Sequence, residues 1–388
     1  MKIEVYSPTI RRKEMDAVLT AMVEEKIGPG DRNRLLIQTA KEQLHFDYAL
    51  ALRSPAVALH LALKALKGFS ESDAPQPKSQ AVIISALSPR YYYQVIEDLQ
   101  LTPLYCDVSY DFPCISRDSI EKLIANKPDG LDVCAVVLHH TLGFIPDTAS
   151  IAELGVPVIE DISQSYGSWM KAAVKKDDDA NAAGGGAGSV TGSGANSGAN
   201  NEGSSKEKEE PQIKLSGIFC ILGLEERDML TSGGGAILFA MNRRDGALLR
   251  NFSSIADEYC LPDINAALAV VQFKEAFRNI ERRREIANVY VQASLRTRHK
   301  RFIPLNEDEY NNYSFSLVLE TGLKDVIAYA RKKEIVVESA FENTIAGSGL
   351  CENFAANSLA LRTVLFPMYP RLRSQDAERV SRLIMTLP

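Results

Sequence analysis

A glycine-rich loop between two apolar stretches is the first place where this sequence suggests chemistry. The loop, "GLEERDMLTSGGGAILF" at 223–239, follows one apolar run at 217–222 and leads into a second at Ala236–Ala240. Because glycine has no side chain, such a loop between two predicted strands lets the backbone come close to a ligand. The spacing therefore predicts a ligand site here, and it raises the question of what Arg227 does just before the glycines.

Polar residues also stand at the ends of other apolar, strand-like runs. Asp161 ends "VPVIED", and His139 and His140 end "CAVVLHH". Helical patterns lie between these runs, and this alternation with nearly uninterrupted apolar strands is typical of a parallel sheet covered by helices on both faces. Ligands bind at the carboxyl ends of such strands. We therefore expect a site in the ranges 88–91, 139–143, 161–164 and 223–231.

The length of the chain, 388 residues, favours a large domain with a smaller one, and changes in composition along the chain indicate their bounds. Residues 1–255 carry the alternating pattern and are predicted to form the large α/β domain. Within it, the Gly/Ala/Ser/Asn-rich and charged stretch at 171–212 is predicted to be a disordered insertion, because it has too little apolar surface to bury. Residues 256–388 are predicted to be a long helix, which Asp263 can cap, and a small α+β domain with a strand at 335–337.

Charge and hydropathy argue against two kinds of partner. The chain has 44 Lys and Arg against 50 Asp and Glu, a net charge of −6, and no long basic run, so nucleic acid is not an expected partner. No apolar stretch approaches membrane-spanning length, and no signal-peptide pattern is found, so we expect a cytoplasmic protein without a membrane partner. The six cysteines lack CxxC spacing, which favours buried thiols over disulfides or a metal site.

Four motifs are similar to those of one enzyme family. They are "ALALRSPAVALHLALKAL", "GVPVIEDISQSYGS", "INAALAVVQFKEAFRNIERRREIANVY" and "LFPMYPRL". Together they resemble the DegT/DnrJ/StrS family of sugar aminotransferases over nearly the whole chain except the insertion. The resemblance implies the α/β PLP-transferase fold of type I, in which a large domain and a smaller α+β domain bind pyridoxal phosphate (PLP). It also implies a homodimer with shared active sites.

The resemblance gives roles to two residues that the chain retains. Asp161 matches the aspartate that pairs with the pyridinium nitrogen of PLP and keeps the ring an electron sink. Gln164 matches the position that packs near the ring oxygen. Aspartate is also a preferred N-cap, so capping of the next helix stays open as an alternative role for Asp161.

The residue at the catalytic position of the family is changed. Laid without gaps on the family pattern, "SGIFCILGLEERDMLTSGGGA" puts Arg227 on the lysine that forms the Schiff base with PLP. Such a lysine must lose its proton to attack the cofactor aldehyde. A guanidinium stays protonated at any working pH, so Arg227 retains the positive charge of the lysine but cannot form the Schiff base. Lys214 is a poor substitute, because it precedes the strand and is expected at the opposite end.

Further departures fall on positions that hold the cofactor in the family. They are Ser54, Pro55 and Ala56 at the phosphate-binding helix start, Leu222 for a serine, Pro89 for a stacking aromatic, and Glu258 for an asparagine that reaches phosphate across the dimer. Proline removes an N–H donor from the helix start, and an acid at 258 repels phosphate. One of the tyrosines at 91–93 could replace the missing aromatic. Losses of about 1–3 kcal/mol at each of these positions argue together against tight PLP binding.

These features favour a degenerate homologue of nucleotide-sugar aminotransferases that no longer transaminates. Such a protein could bind a sugar nucleotide, with Arg227 on a phosphate, or pair with an active homologue. The alternative is a working PLP-dependent aminotransferase or dehydratase of polysaccharide biosynthesis, with His139 or His140 as its base. Histidines at strand ends are more often hydrogen-bonded parts of the structure. A scaffold role for the insertion at 171–212 has only composition in its favour.

Overall fold

The larger of two sheets has seven strands. The computed structural model describes residues 2–70, 79–168, 215–306 and 310–388. The predicted insertion at 171–212 and Lys214 lie outside these residues. The strands of the larger sheet are β1 (Tyr48–Leu52), β2 (Ser79–Ser85), β3 (Thr102–Cys106), β4 (Leu131–His139), β5 (Val158–Asp161), β6 (Phe219–Gly223) and β7 (Ala236–Ala240). Their order is β1-β7-β6-β5-β4-β2-β3, in which β7 is antiparallel to both neighbours and the other pairs are parallel, as predicted.

Helices cover both faces of this sheet. They are α1 (Arg12–Val23), α2 (Asp31–Leu44), α3 (Pro55–Ser70), α4 (Tyr91–Asp98), α5 (Arg117–Ala125), α6 (Thr148–Ala152) and α7 (Arg243–Arg250). Side chains alternate between the two faces of a strand, and those of β6 pack into a different apolar cluster on each face. Phe219 and Ile221 lie in one apolar cluster with α3, whereas Cys220 and Leu222 lie in another with α2. The continuous apolar run of β6 is therefore explained by burial on both sides.

A long helix, α8 (Asp263–Ser294), connects the large sheet to a smaller one. Its first half packs Phe273 into the cluster with α2, and its second half packs Tyr290 against the small sheet. The small sheet has the antiparallel order β8-β10-β9. Its strands and the helices around it are β8 (Phe315–Val318), α9 (Leu323–Lys332), β9 (Glu338–Ser339), α10 (Phe354–Arg362), β10 (Thr363–Phe366) and α11 (Ser374–Met385). The domain boundary at 255 stays a prediction.

Two local predictions are wrong. Asp263 does not cap α8, because its carboxylate accepts the N–H groups of Gly30 at 2.9 Å, Arg32 at 3.0 Å and Asn33 at 2.9 Å, at the start of α2. Packing of α2 against α8 supplies those donors. The stretch 335–337 makes only a single bridge, to the N-terminal segment, and the strand begins at 338. Within the described ranges, every helix is too short or too polar to cross a membrane.

Candidate functional site

Asp161 ends β5 at the carboxyl edge of the large sheet, and its carboxylate is fully engaged inside the protein. Only 2% of the residue is exposed. Oδ2 accepts hydrogen bonds from the hydroxyls of Tyr92 at 2.5 Å and Tyr91 at 3.4 Å. Oδ1 accepts the N–H of Ser163 at 3.0 Å and also the Ser163 hydroxyl. Asp161 therefore organises the chain just after its strand, although residues 163–168 form turns rather than a capped helix.

The tyrosines at 91–93 divide between this carboxylate and the surface. Tyr91 and Tyr92 are in edge contact, with ring centroids 4.9 Å apart, and both donate to Asp161. Burial, reinforced by the charge of Asp161, raises the pKa of both phenols well above the usual value. They are therefore neutral hydrogen-bond donors at physiological pH. Tyr93 instead donates to Glu97 on the surface.

Asp228 is a second carboxyl group in this region. Its Oδ2 accepts the N–H of Glu225 at 2.8 Å and occupies the space that a side chain on Gly223 would need. Burial raises the pKa of Asp228 to about 7, and the charge of Asp161 acts in the same direction. The N–H of Gly223 donates to Ser163 Oγ at 2.7 Å. The loop that follows β6 thus lies against a polar cluster that consists of Asp161, Ser163 and Asp228.

Arg227 makes an ion pair with the small sheet. Its Nη1 donates to Glu338 Oε2 at 2.7 Å, and its Nη2 donates to Oε1 at 3.3 Å. These bonds raise the pKa of the guanidinium above its already high ordinary value. The Tyr313 hydroxyl donates to the Arg227 carbonyl at 2.8 Å, and the Tyr6 ring centroid lies 5.9 Å from Cζ. The residue at the predicted lysine position therefore joins the loop after β6 to β9.

The residues predicted for the phosphate position serve local structure. Ser54 Oγ accepts a backbone N–H of the first turn of α3 at 3.3 Å, so this hydroxyl caps the helix. Pro55 is buried as the first residue of that helix, and Ala56 after it is half-buried. Glu258 is exposed, and its carbonyl accepts Arg53 Nε at 2.8 Å. This group lies beside β1, and none of its described contacts reaches Asp161.

The remaining predicted site residues have partners of their own. Pro89 makes a bridge with Thr344, on a loop between β9 and α10. Leu222 is fully buried in the apolar cluster with α2. Gln164 Oε1 accepts the N–H of Leu142 at 2.6 Å. Gln164 therefore holds the turn after β4.

His139 and His140 are both buried at the end of β4. Nδ1 of His139 lies 3.0 Å from Thr141 Oγ1. His140 has Ser165 Oγ 2.7 Å from Nδ1 and Glu160 Oε2 3.4 Å from Nε2. Burial lowers the pKa of His139 to about 4, so its ring is neutral at physiological pH. These contacts are those of hydrogen-bonded strand-end histidines.

The PLP site that the resemblance implies does not fit these contacts. Both oxygens of Asp161 already accept hydrogen bonds, Oδ2 from Tyr92 and Oδ1 from Ser163. The predicted position of the lysine holds the guanidinium of Arg227, which is bonded to Glu338. What remains among the described residues is a buried carboxylate, Asp161, and, on the loop after β6, a cation that is ion-paired with the small sheet. This arrangement can bind an anion or a hydrogen-bonding ligand.

Three residues of this region were not singled out from the sequence: Ser163 and Asp228, which lie within the expected ranges 161–164 and 223–231, and Glu338, which lies outside every expected range. Ser163 had a signal, because a residue two positions after an aspartate often donates its N–H to that side chain. Asp228 stands in the charged stretch "EERD", which gave no sign that this acid turns inward. Glu338 is 111 residues from its partner, and nothing in the sequence links the two.

Comparison with known proteins identifies the family. Residues 8–182 and 239–385 match the model of the DegT/DnrJ/EryC1/StrS aminotransferase family. Arg227 lies between the two matched segments. A stretch of 174 residues is 31% identical to GDP-perosamine synthase of Escherichia coli O157:H7, and it covers 44% of this chain and 44% of that protein.

Solved structures of similar fold agree with this match. Helicobacter pylori PseC, an aminotransferase involved in the biosynthesis of pseudoaminic acid, superposes with a TM-score of 0.77 at 15% identity, over 99% of this chain and 98% of that one. The E. coli GDP-4-keto-6-deoxy-D-mannose-3-dehydratase with bound hydrated PLP gives a TM-score of 0.73 at 13% identity, over 99% of each chain. The fold is therefore that of PLP-dependent aminotransferases. Because the family model matches most of its length, the chain belongs to the DegT/DnrJ/EryC1/StrS aminotransferase family.

Proposed function

We propose that this chain is a degenerate homologue of nucleotide-sugar aminotransferases that does not transaminate, and that it binds a sugar nucleotide or pairs with an active homologue. The observation that carries the proposal is the guanidinium of Arg227 bonded to Glu338 at the predicted lysine position. A guanidinium has no free lone pair with which to attack an aldehyde. The family and the relative named as a GDP-perosamine synthase support sugar-nucleotide chemistry for the ligand.

The contacts of Asp161 support the same conclusion independently. An aspartate that serves PLP must leave one oxygen free for the ring nitrogen. Here neither oxygen is free, because Oδ1 accepts from Ser163 and Oδ2 accepts from the fully buried Tyr92 at 2.5 Å. Binding of PLP would require the tyrosine to move and the phenol to find another buried acceptor, which is unfavourable.

Family membership favours a second candidate, an active PLP-dependent aminotransferase or dehydratase of polysaccharide biosynthesis that works as a homodimer. That candidate needs a base other than residue 227. His139 is neutral at physiological pH and could accept a proton in principle. Its ring is buried and bonded to Thr141, which argues against this role.

The two candidates differ in whether the chain binds PLP: an aminotransferase would carry it on a lysine, a dehydratase with a histidine base would bind it without a covalent bond, and the proposed function requires neither. The experiment incubates the full chain with PLP, records the visible absorption spectrum, reduces with borohydride and locates any adduct by peptide mass spectrometry. We expect no stoichiometric adduct at a single lysine of the wild-type protein. A stoichiometric adduct at one lysine, or saturable PLP absorption without an adduct, would contradict the proposal and favour the second candidate. Thermal stabilisation by GDP-mannose without any PLP binding would support the binding protein.

A pair of arginine variants tests the assignment of position 227. Arg250 offers a matched control, because it also binds a carboxylate, Asp47, at 2.6 Å and lies 5.3 Å from the centroid of the Tyr48 ring. More reducible adduct at the new lysine of Arg227→Lys than at that of Arg250→Lys would show that residue 227 occupies the lysine position and that the rest of the site still admits PLP. Equal labelling of the two positions would mean that residue 227 has no special relation to a PLP site.

A further inference from the structure

The carboxylate on Arg227 has the geometry of a bound ligand. Both Nη atoms of the guanidinium donate to the two oxygens of Glu338, at 2.7 and 3.3 Å. Arginine uses this paired arrangement to bind carboxylates and phosphates, because its planar fork matches two oxygens of the anion. The two side chains are 57% and 34% exposed, so solvent and solutes reach the pair.

The backbone around Arg227 is fixed by two tyrosines. The Tyr313 hydroxyl donates to the carbonyl of Arg227 at 2.8 Å, and the Tyr6 hydroxyl donates to the carbonyl of Glu226. The Tyr6 ring also lies against the guanidinium, with 5.9 Å between its centroid and Cζ. These contacts fix the loop after β6, which leaves the carboxyl edge of the large sheet, where α/β proteins bind ligands.

We propose that Arg227 binds an oxyanion of a ligand, a phosphate or a carboxylate, and that Glu338 is an internal competitor which this oxyanion displaces. The chemistry of the site follows from the contacts of Arg227 alone. Its assignment to the diphosphate of a sugar nucleotide rests on the proposed function.

The exchange is feasible because the internal pair is weak. Exposed ion pairs shift an equilibrium by only about twofold to fivefold, so a ligand that makes the same two hydrogen bonds and further contacts can replace Glu338. Glu226 is the other acid whose charge acts on the guanidinium, and it remains after Glu338 has left. The affinity for a small anion alone is therefore expected to be modest.

The test measures binding of inorganic pyrophosphate and of succinate to the full chain by isothermal titration calorimetry at low ionic strength. Glu338→Gln removes the competing charge, and we expect it to bind at least one of the two anions about twofold to fivefold more tightly than the wild type. Arg227→Gln removes the cation, and we expect it to lose saturable binding. A preference for pyrophosphate identifies a phosphate ligand, and a preference for succinate identifies a carboxylate.

A matched control separates this site from a general effect of charge. Asp47→Asn removes the carboxylate from Arg250, a pair with side chains of similar exposure, 43% and 30%. We expect this variant to bind both anions as the wild type does. The proposal is overturned if Glu338→Gln binds neither anion more tightly, if Arg227→Gln binds as well as the wild type, or if Asp47→Asn produces the same gain.

This result is independent of the cofactor experiment. A lysine adduct with PLP would contradict the proposal that the chain does not transaminate. It would not change whether anion binding depends on Arg227 and Glu338. Conversely, a failure of the anion titrations together with stabilisation by GDP-mannose would place the ligand elsewhere and keep the proposed function.

Discussion

Removal of the Tyr92 hydroxyl tests whether Asp161 depends on its internal donors. In Tyr92→Phe the ring keeps its place, and Oδ2 of Asp161 loses a hydrogen bond of 2.5 Å. The phenol and the carboxylate are 0% and 2% exposed, so water does not readily replace the donor. A hydrogen bond to a charged group contributes about 1.5–3 kcal/mol. Ser163 still serves Oδ1, and Tyr91 is 3.4 Å away, so we expect a loss of about 2 kcal/mol.

Urea unfolding at pH 7, followed by circular dichroism, measures this loss as a lower midpoint with an unchanged slope. Tyr93→Phe is the control, because its hydroxyl bonds to Glu97 at the surface and its removal should leave the midpoint nearly unchanged. If both variants shift the midpoint equally, or if Tyr92→Phe does not shift it, the carboxylate does not depend on Tyr92 and the argument against a free Asp161 fails.

Three further predictions concern groups near this edge of the sheet. The pKa of Asp228 is raised from 3.8 to about 7, so the folded state holds the proton more tightly and stability falls as pH rises from about 4 to about 7. The free energy of unfolding of Asp228→Asn relative to the wild type should therefore be higher at pH 8 than at pH 5, as measured by urea unfolding. The pKa of His139 is lowered from 6.5 to about 4, so its stabilisation is present above pH 6.5 and lost as pH falls through 4. His139→Asn should remove this loss of stability at acid pH, as measured by urea unfolding over the same pH range. Gly143→Ala, at φ +85° and crowded by neighbouring atoms, should cost about 1–3 kcal/mol more than Gly130→Ala, at φ +79° in open space.

The large sheet could be predicted because its strands are explicit in the sequence. Strands such as β5, β6 and β7 are buried along their whole length, so they appear as unbroken apolar runs between helical patterns. The partner of Asp263 could not be predicted in this way. Its carboxylate is bonded to groups about 230 residues away, and the packing of α2 on α8 decides which N–H groups it meets.

The place of Asp161 at a strand end was predictable, but the contacts of Asp161 and Arg227 were not. The apolar run before Asp161 predicted the strand end from local pattern, whereas the assignment of Arg227 to the lysine position follows from resemblance and stays a prediction. The partners, Tyr92 and Glu338, are 69 and 111 residues distant, and any of several acids or phenols would have been an equally good guess. A buried carboxylate can be expected from local sequence to accept hydrogen bonds, but the tertiary fold determines which residue donates them.

On the proposed function, the internal partners take the place of the contacts that the cofactor makes in an enzyme of this family. In an enzyme that relies on PLP, polar groups aimed at the cofactor lack partners when it is absent, and its binding repays that deficit as added stability. Here both oxygens of Asp161 and both Nη atoms of Arg227 already have hydrogen-bond partners within the chain. The hydroxyl of Ser54 likewise accepts from the helix that it begins. On the further inference above, a ligand gains affinity here by displacing one of these bonds, and the ion pair of Glu338 is the one that is exposed to solvent.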